Sequence, residues 1–166
     1  PALFAGIVLW LRRWRLPNAA VLFGALLFTF SGYPIISWLW LVHVEVLAHT
    51  PWLLWCIDMA MRDRSPRKVT GALFGVTVLT ASAILAGYPQ MVYVSGLAEG
   101  MYALFLWRLG SAGASPSPLR GPSTLLLLFV AKVLGAVCAA IQILPTLDLL
   151  DQSTRAATTA AFRLQQ

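Results

Sequence analysis

Apolar runs of membrane-crossing length, separated by short basic clusters, constrain this chain more than any other feature. A helix needs about 20 apolar residues to cross the hydrocarbon of a bilayer, with a usable range of roughly 17–25. Residues 18–32, 46–61, 69–86, 90–107 and 123–144 come near that length, and residues 1–11 read as the end of a truncated run. The expected fold is therefore all-α: a multi-pass transmembrane helical bundle of about six passes in one domain, the first pass truncated. Residues 145–166 follow as a tail on the outer face.

Composition points to the same solvent. Hydrophobic residues make up 59% of the chain and charged ones 11%, with a mean hydropathy of +0.77, so the lipid bilayer is the expected partner. The seven Trp suit the boundary between hydrocarbon and headgroup. An isoelectric point near 10.0 would fit nucleic acid, but the Lys and Arg sit in short clusters between apolar runs, where topology explains them; no nucleic acid is expected. Cys56 and Cys138 lie in apolar segments without metal-ligand spacing and read as small hydrophobes. Pro1 falls inside an apolar run with no basic segment ahead of it, and no terminal signal precedes Gln166, so the chain reads as an internal fragment.

Proline, glycine and charge punctuate the runs. Arg12, Arg13 and Arg15 close the first pass, and Ser31-Gly32-Tyr33-Pro34 ends the second. Residues 35–50 are Trp-rich yet hold His43, Glu45 and His49, which suits an interfacial or re-entrant helix on the outer face. The third pass then starts near residue 46, with Pro51 in its first turns, and Arg62 to Lys68 close it. If the passes alternate, the basic loops 12–17, 62–68 and 108–122 share one side, which the positive-inside tendency assigns to the cytoplasm. Segments 33–45, 87–90 and 145–166 are then extracytoplasmic. Phe30-Ser-Gly-Tyr-Pro34 and Leu85-Ala-Gly-Tyr-Pro89 share helix-stop chemistry and imply no structural repeat.

Most unusual polar residues fall on the outer side. Glu45 and His49, four apart, share a helical face and are weak candidates to hold a divalent metal; the spacing matches no metal signature, and no cofactor is evident. Gly87-Tyr88-Pro89-Gln90 is a tight turn presenting a phenol and a carboxamide, groups that hydrogen-bond sugar hydroxyls or phosphate. Gln142 lies in the apolar end of the last pass, where its amide needs a partner, and Asp148, Asp151, Ser153 and Arg155 follow.

The combination of Phe30-Ser-Gly, His49-Thr-Pro51-Trp, Gly87-Tyr-Pro-Gln90 and Gln142-Ile-Leu-Pro-Thr-Leu-Asp148, followed by Ser153-Thr-Arg155, resembles the bacterial YfhO-like membrane proteins. Those are similar to GT-C-type glycosyltransferases, which take sugar from a polyprenyl-phosphate donor on the outer face of the membrane. The resemblance implies a bacterial plasma-membrane location, a cell-envelope acceptor and substrate-binding roles for Tyr88, Gln90, Gln142, Asp148, Ser153 and Arg155. It also implies a catalytic carboxylate in an outer loop preceding Pro1, outside this chain. Two positions depart from the family pattern: Tyr88 replaces the more usual His, and Asp148 the more usual Glu. A phenol does not carry protons near neutral pH as imidazole does, so a catalytic role for the turn does not carry over.

A transporter or non-catalytic membrane scaffold is the alternative, resting on Glu99 and Lys132, ionisable residues near the middle of their passes. At 1.5 Å per residue Glu99 lies about 13 Å and Lys132 about 18 Å below the outer end of its pass, within reach of a long side chain. The expectation is an intramembrane ion pair with a structural role.

Overall fold

The structure, a computed structural model, describes residues 1–37, 41–113 and 122–150. Those residues form helices and connections, with no strand among them. In chain order the helices are α1 (Ala2–Arg12), α2 (Asn18–Thr29), α3 (Gly32–Ser37), α4 (Leu41–Arg62), α5 (Pro66–Leu85), α6 (Pro89–Gly113), α7 (Pro122–Cys138) and α8 (Ala140–Leu150). Among the described residues one helix, α5, is long and apolar enough to cross a membrane; α1, α2 and α7 are apolar but shorter.

The connections follow local chemistry. After α1, Arg15 takes the left-handed region (φ 54°) and turns the chain, and Pro17, extended, precedes α2. Pro66 sits at the start of α5, where a missing N–H costs nothing. Between α5 and α6, Gly87 adopts φ 83°, a conformation that favours glycine.

Two boundaries differ from expectation. Among the described residues of the expected interfacial segment, 35–37 belong to the six-residue α3 and 41–50 to α4, which runs for 22 residues through Pro51. A proline there removes a backbone donor. Packing on both sides of it compensates, since Val46, Leu53 and Ile57 are buried and the Trp52 indole donates to the Ala2 carbonyl of α1 at 3.0 Å. The expected pass at 123–144 is two helices, α7 and α8, meeting at Ala139, whose N–H is shared between Gly135 O and Ala136 O. Pro145, inside α8, cannot donate to the Ile141 carbonyl.

α4 is the hub. Helices α1, α5 and α6 all pack against it, while α7 lies on α5 and α2 on α1. Leu53, Cys56, Ile57 and Ala60 of α4 join Ala72 and Val76 of α5, Ala103 of α6 and Leu128 and Ala131 of α7 in the main core. Small residues let these backbones approach, as between transmembrane helices. At Gly135 of α7 a Cβ would stand 2.7 Å from the Thr77 carbonyl oxygen of α5, and the Thr77 hydroxyl lies 3.1 Å from the Ala131 carbonyl. The outward surface is apolar on several sides: Phe23, Phe74, Met101 and Phe129 are each at least 64% exposed.

Candidate functional site

The end of the bundle away from the basic clusters gathers most of the polar candidates. The α5–α6 turn sets Tyr88 and Gln90 side by side, the phenol donating to Gln90 Oε1 at 3.3 Å. A Cβ on Gly87 would stand 3.3 Å from Gln142 Nε2, so α8 brings its carboxamide against this turn. The structure thus sets Gln142 against the Gly87 turn that carries Tyr88 and Gln90, from a segment more than fifty positions later in the sequence. What assembles there is a phenol and two carboxamides, groups that both donate and accept and carry no charge.

His49 stands toward the same end of α4. Its Nδ1 is 2.7 Å from the Glu45 carbonyl oxygen, which only accepts, so Nδ1 carries a proton. In the neutral ring Nε2 then accepts from the Ser82 hydroxyl of α5 at 2.9 Å. Both ring nitrogens are engaged within the protein, and the link from His49 to Glu45 runs through backbone. A metal held by this pair would have to displace one of those bonds; among the described residues no cluster of three or more metal-ligating side chains occurs.

Glu99 and Lys132 meet: the Lys132 ammonium contacts Glu99 Oε2 between α6 and α7, with Glu99 almost fully buried. The two helices are consecutive, yet each lies mainly against a different partner, α6 on α4 and α7 on α5. The ion pair spans the gap this divergence leaves.

A second polar network, at the basic end, escapes sequence inspection. Asp58 of α4 is fully buried. It accepts from Arg13 Nε at 2.6 Å, Arg62 Nη1 at 3.2 Å and the Tyr102 hydroxyl at 2.9 Å. Arg13 also reaches Asp63 at 3.0 Å. The Tyr102 oxygen in turn accepts from the indoles of Trp10 at 3.0 Å and Trp14 at 3.2 Å, while the Arg62 guanidinium lies 5.0 Å above the Trp14 ring. Burial opposes the charge of Arg13, but its bonds to Asp58 and Asp63 outweigh that and hold its pKa above the ordinary value. The network ties α1, α4 and α6 together and employs two of the cations that topology alone would explain. One local signal existed, an acid and a base four apart at Asp58 and Arg62.

Of the remaining candidates, Asp148 lies within α8 but its side chain falls outside the described residues, as do Ser153 and Arg155 entirely. Comparison with family models, curated proteins and solved structures finds no match to this chain.

Proposed function

We propose that this chain is part of a multi-pass integral membrane protein that handles a polyprenyl-phosphate-linked sugar at its outer face and passes the sugar to a cell-envelope acceptor. The observation that carries the reading is the chemical difference between the two ends of the bundle. One end holds the Arg clusters and the Asp58 network; the other carries Tyr88 bonded to Gln90, with the Gln142 carboxamide beside Gly87 of the same turn, which supports reading them as one uncharged hydrogen-bonding patch. Placed with its basic end in the cytoplasm, the bundle presents that patch at the outer boundary.

Several features support membrane passage of more than α5. The exposed Phe23, Phe74, Met101 and Phe129 would be costly in water and are at home in lipid. The buried acids of α4 and α6, Asp58 and Glu99, are turned inward and ion-paired, as intramembrane charges must be. A transport path would need polar groups lining a passage; here the buried charges are spent on one another.

In the chemistry the resemblance implies, an acceptor hydroxyl oxygen bonds to the anomeric carbon as the bond from that carbon to the lipid phosphate oxygen breaks. In that chemistry a carboxylate of the family's outer loop would take the hydroxyl proton, and the phosphate would leave with the electron pair. Tyr88, Gln90 and Gln142 would orient sugar hydroxyls, and Arg155 would stabilise the departing phosphate. The test is to delete the full-length parent and compare lipid-linked sugars and envelope glycans with those of a complemented strain. A donor that accumulates and a glycan that disappears are the expected result; identical profiles would refute the reading.

A further inference from the structure

At the basic end of the bundle the two acids, Asp58 and Asp63, are already taken up by Arg13 and Arg62. Arg12, Arg15, Arg64, Arg67, Lys68 and Arg108 remain, each exposed and, among the described residues, none in an ion pair. Tertiary contacts hold these cations at a common level. Asp58 bonds both Arg13, beside Arg12, and Tyr102 of α6, and α4 and α6 run in the same direction toward this end. The close of α4 at Arg62 lies about 6 Å beyond Asp58, and Arg108 about 9 Å beyond Tyr102.

Two of the six cations each head an exposed apolar lane. On α5, Arg67, Gly71, Phe74 and Val78 follow one another at intervals of four, three and four, the spacing of a single helix face, and all four are exposed. A Cβ on Gly71 would meet nothing within 4 Å, so no neighbouring helix covers the lane there. On α6 the same intervals join Leu97, Met101, Leu104 and Arg108, again all exposed. α5 runs away from the basic end and α6 toward it, so the arginine stands at that end of both lanes. Each lane spans eleven residues, about 16 Å, close to half of the roughly 30 Å of bilayer hydrocarbon, the depth of one leaflet.

We propose that the basic end is a binding surface for anionic phospholipids of the leaflet it faces. Arg67 and Arg108 each take a headgroup phosphate, which suits the guanidinium fork, and the lane below each takes an acyl chain. A charge at the head of a chain-length apolar stripe selects an amphiphile: a free phosphate or an RNA would satisfy the arginines and leave Phe74 and Met101 uncovered. Charge then selects the headgroup. A zwitterionic lipid sets an ammonium among unpaired cations where, among the described residues, both acids are engaged, whereas phosphatidylglycerol brings a net negative charge. The inference rests on the membrane placement proposed above and is independent of the sugar-transfer reading.

The test uses the full chain in phosphatidylcholine vesicles with a trace of phosphatidylglycerol or of phosphatidylcholine bearing a diazirine on its acyl chain, photolysed and mapped by peptide mass spectrometry. Phosphatidylglycerol should label residues 71–78 and 97–104 about fivefold more than phosphatidylcholine does. Unlabelled phosphatidylglycerol should compete the excess away, and added salt should shrink it. Arg67→Gln should lower the preference at 71–78 and not at 97–104, and Arg108→Gln the reverse. Exposed arginines add little to folding, and each variant carries the other lane as its control. Flotation with pure phosphatidylcholine vesicles scores insertion separately. A chain that does not insert would overturn the membrane placement and the proposal together. An inserted chain labelled alike by both lipids, a preference unchanged in both variants, or loss of the excess label on adding RNA or inorganic phosphate would overturn the proposal and leave the placement standing.

Discussion

Arg13 and Asp58 lie forty-five residues apart in sequence and 2.6 Å apart in space, the guanidinium of one helix end reaching a carboxylate with no solvent exposure on another. Removing one member of a buried ion pair costs about 3–5 kcal/mol, because the other charge stays behind without compensation. Asp58→Asn takes the shared carboxylate from both Arg13, which keeps Asp63, and Arg62, which keeps its place over Trp14, whereas Arg62→Met leaves Asp58 with Arg13 and Tyr102. Thermal unfolding in detergent should therefore rank Asp58→Asn as most damaging, Arg13→Met next and Arg62→Met least, the last softened by the solvent exposure of Arg62. Equal losses from all three would mean that the network does not hold α1 to α4.

The Glu99–Lys132 pair makes a reciprocal test. Glu99→Gln and Lys132→Met should each lower stability, by about 1–3 kcal/mol for a charged group deprived of its partner inside the bundle. The double variant should recover much of the loss. Additive losses in that cycle would show that the two side chains do not depend on each other.

Glycines on the two faces of α5–α7 and α6 should respond with opposite signs. Gly135→Ala pushes a methyl group into the Thr77 carbonyl, 2.7 Å away, and must part α7 from α5. Gly100→Ala enters open space and gains the helix preference of alanine, about 1 kcal/mol. The melting temperature should fall for the first and hold or rise for the second.

Gly87→Ala is strained by its backbone and crowds Gln142, so under the proposed sugar-transfer function it should reduce transfer by the complete protein more than Gly71→Ala, which meets nothing within 4 Å. Arg155→Ala should reduce transfer strongly with expression unchanged. Arg155→Lys should recover only part of it, a point charge replacing a planar fork. Measurement of lipid-linked donor turnover in membranes checks all four variants, and equal turnover in Gly87→Ala and Gly71→Ala would remove the turn from the site.

Sidedness can be read with a membrane-impermeant maleimide in cells, using a chain in which Cys56 and Cys138 are replaced by Ser. Tyr88→Cys should be labelled from outside, and Ser65→Cys, in the loop between α4 and α5, only after the membrane is opened. Labelling of both from outside would contradict the orientation.

Which parts of this were legible in the sequence depends on how far apart the interacting residues lie. Glu99 and Lys132 stand out because a charge amid leucines and valines has no local explanation, and depth along two helices is simple arithmetic. The Gly87 turn and Gln142 share an end of the bundle by alternation alone. Asp58 hid beside Arg62, Asp63 and Arg64, where a helix-closing cluster accounts for an acid without further inquiry, and nothing local announces Tyr102 as its donor. Pro51 lies inside a helix as expected, but the start of that helix differs: it begins at Leu41, ahead of the polar Glu45 and His49, which locally argue for a separate element. The burial of Val46, Leu53 and Ile57 that holds the helix together belongs to tertiary structure.

The order in which the Asp58 network is made bears on how such a chain enters a bilayer. Arg13 is synthesised forty-five residues before Asp58, and Arg62 only four after it, but Tyr102 comes forty-four later. At about 5–20 residues per second that last interval is roughly 2–9 s. In the multi-pass reading proposed above, α4 would then lie beside α1 with its carboxylate facing two guanidinium groups and still missing a hydroxyl. The arginines would serve as insertion partners for α4, and Tyr102, arriving with α6 to meet the two indoles, would complete the network.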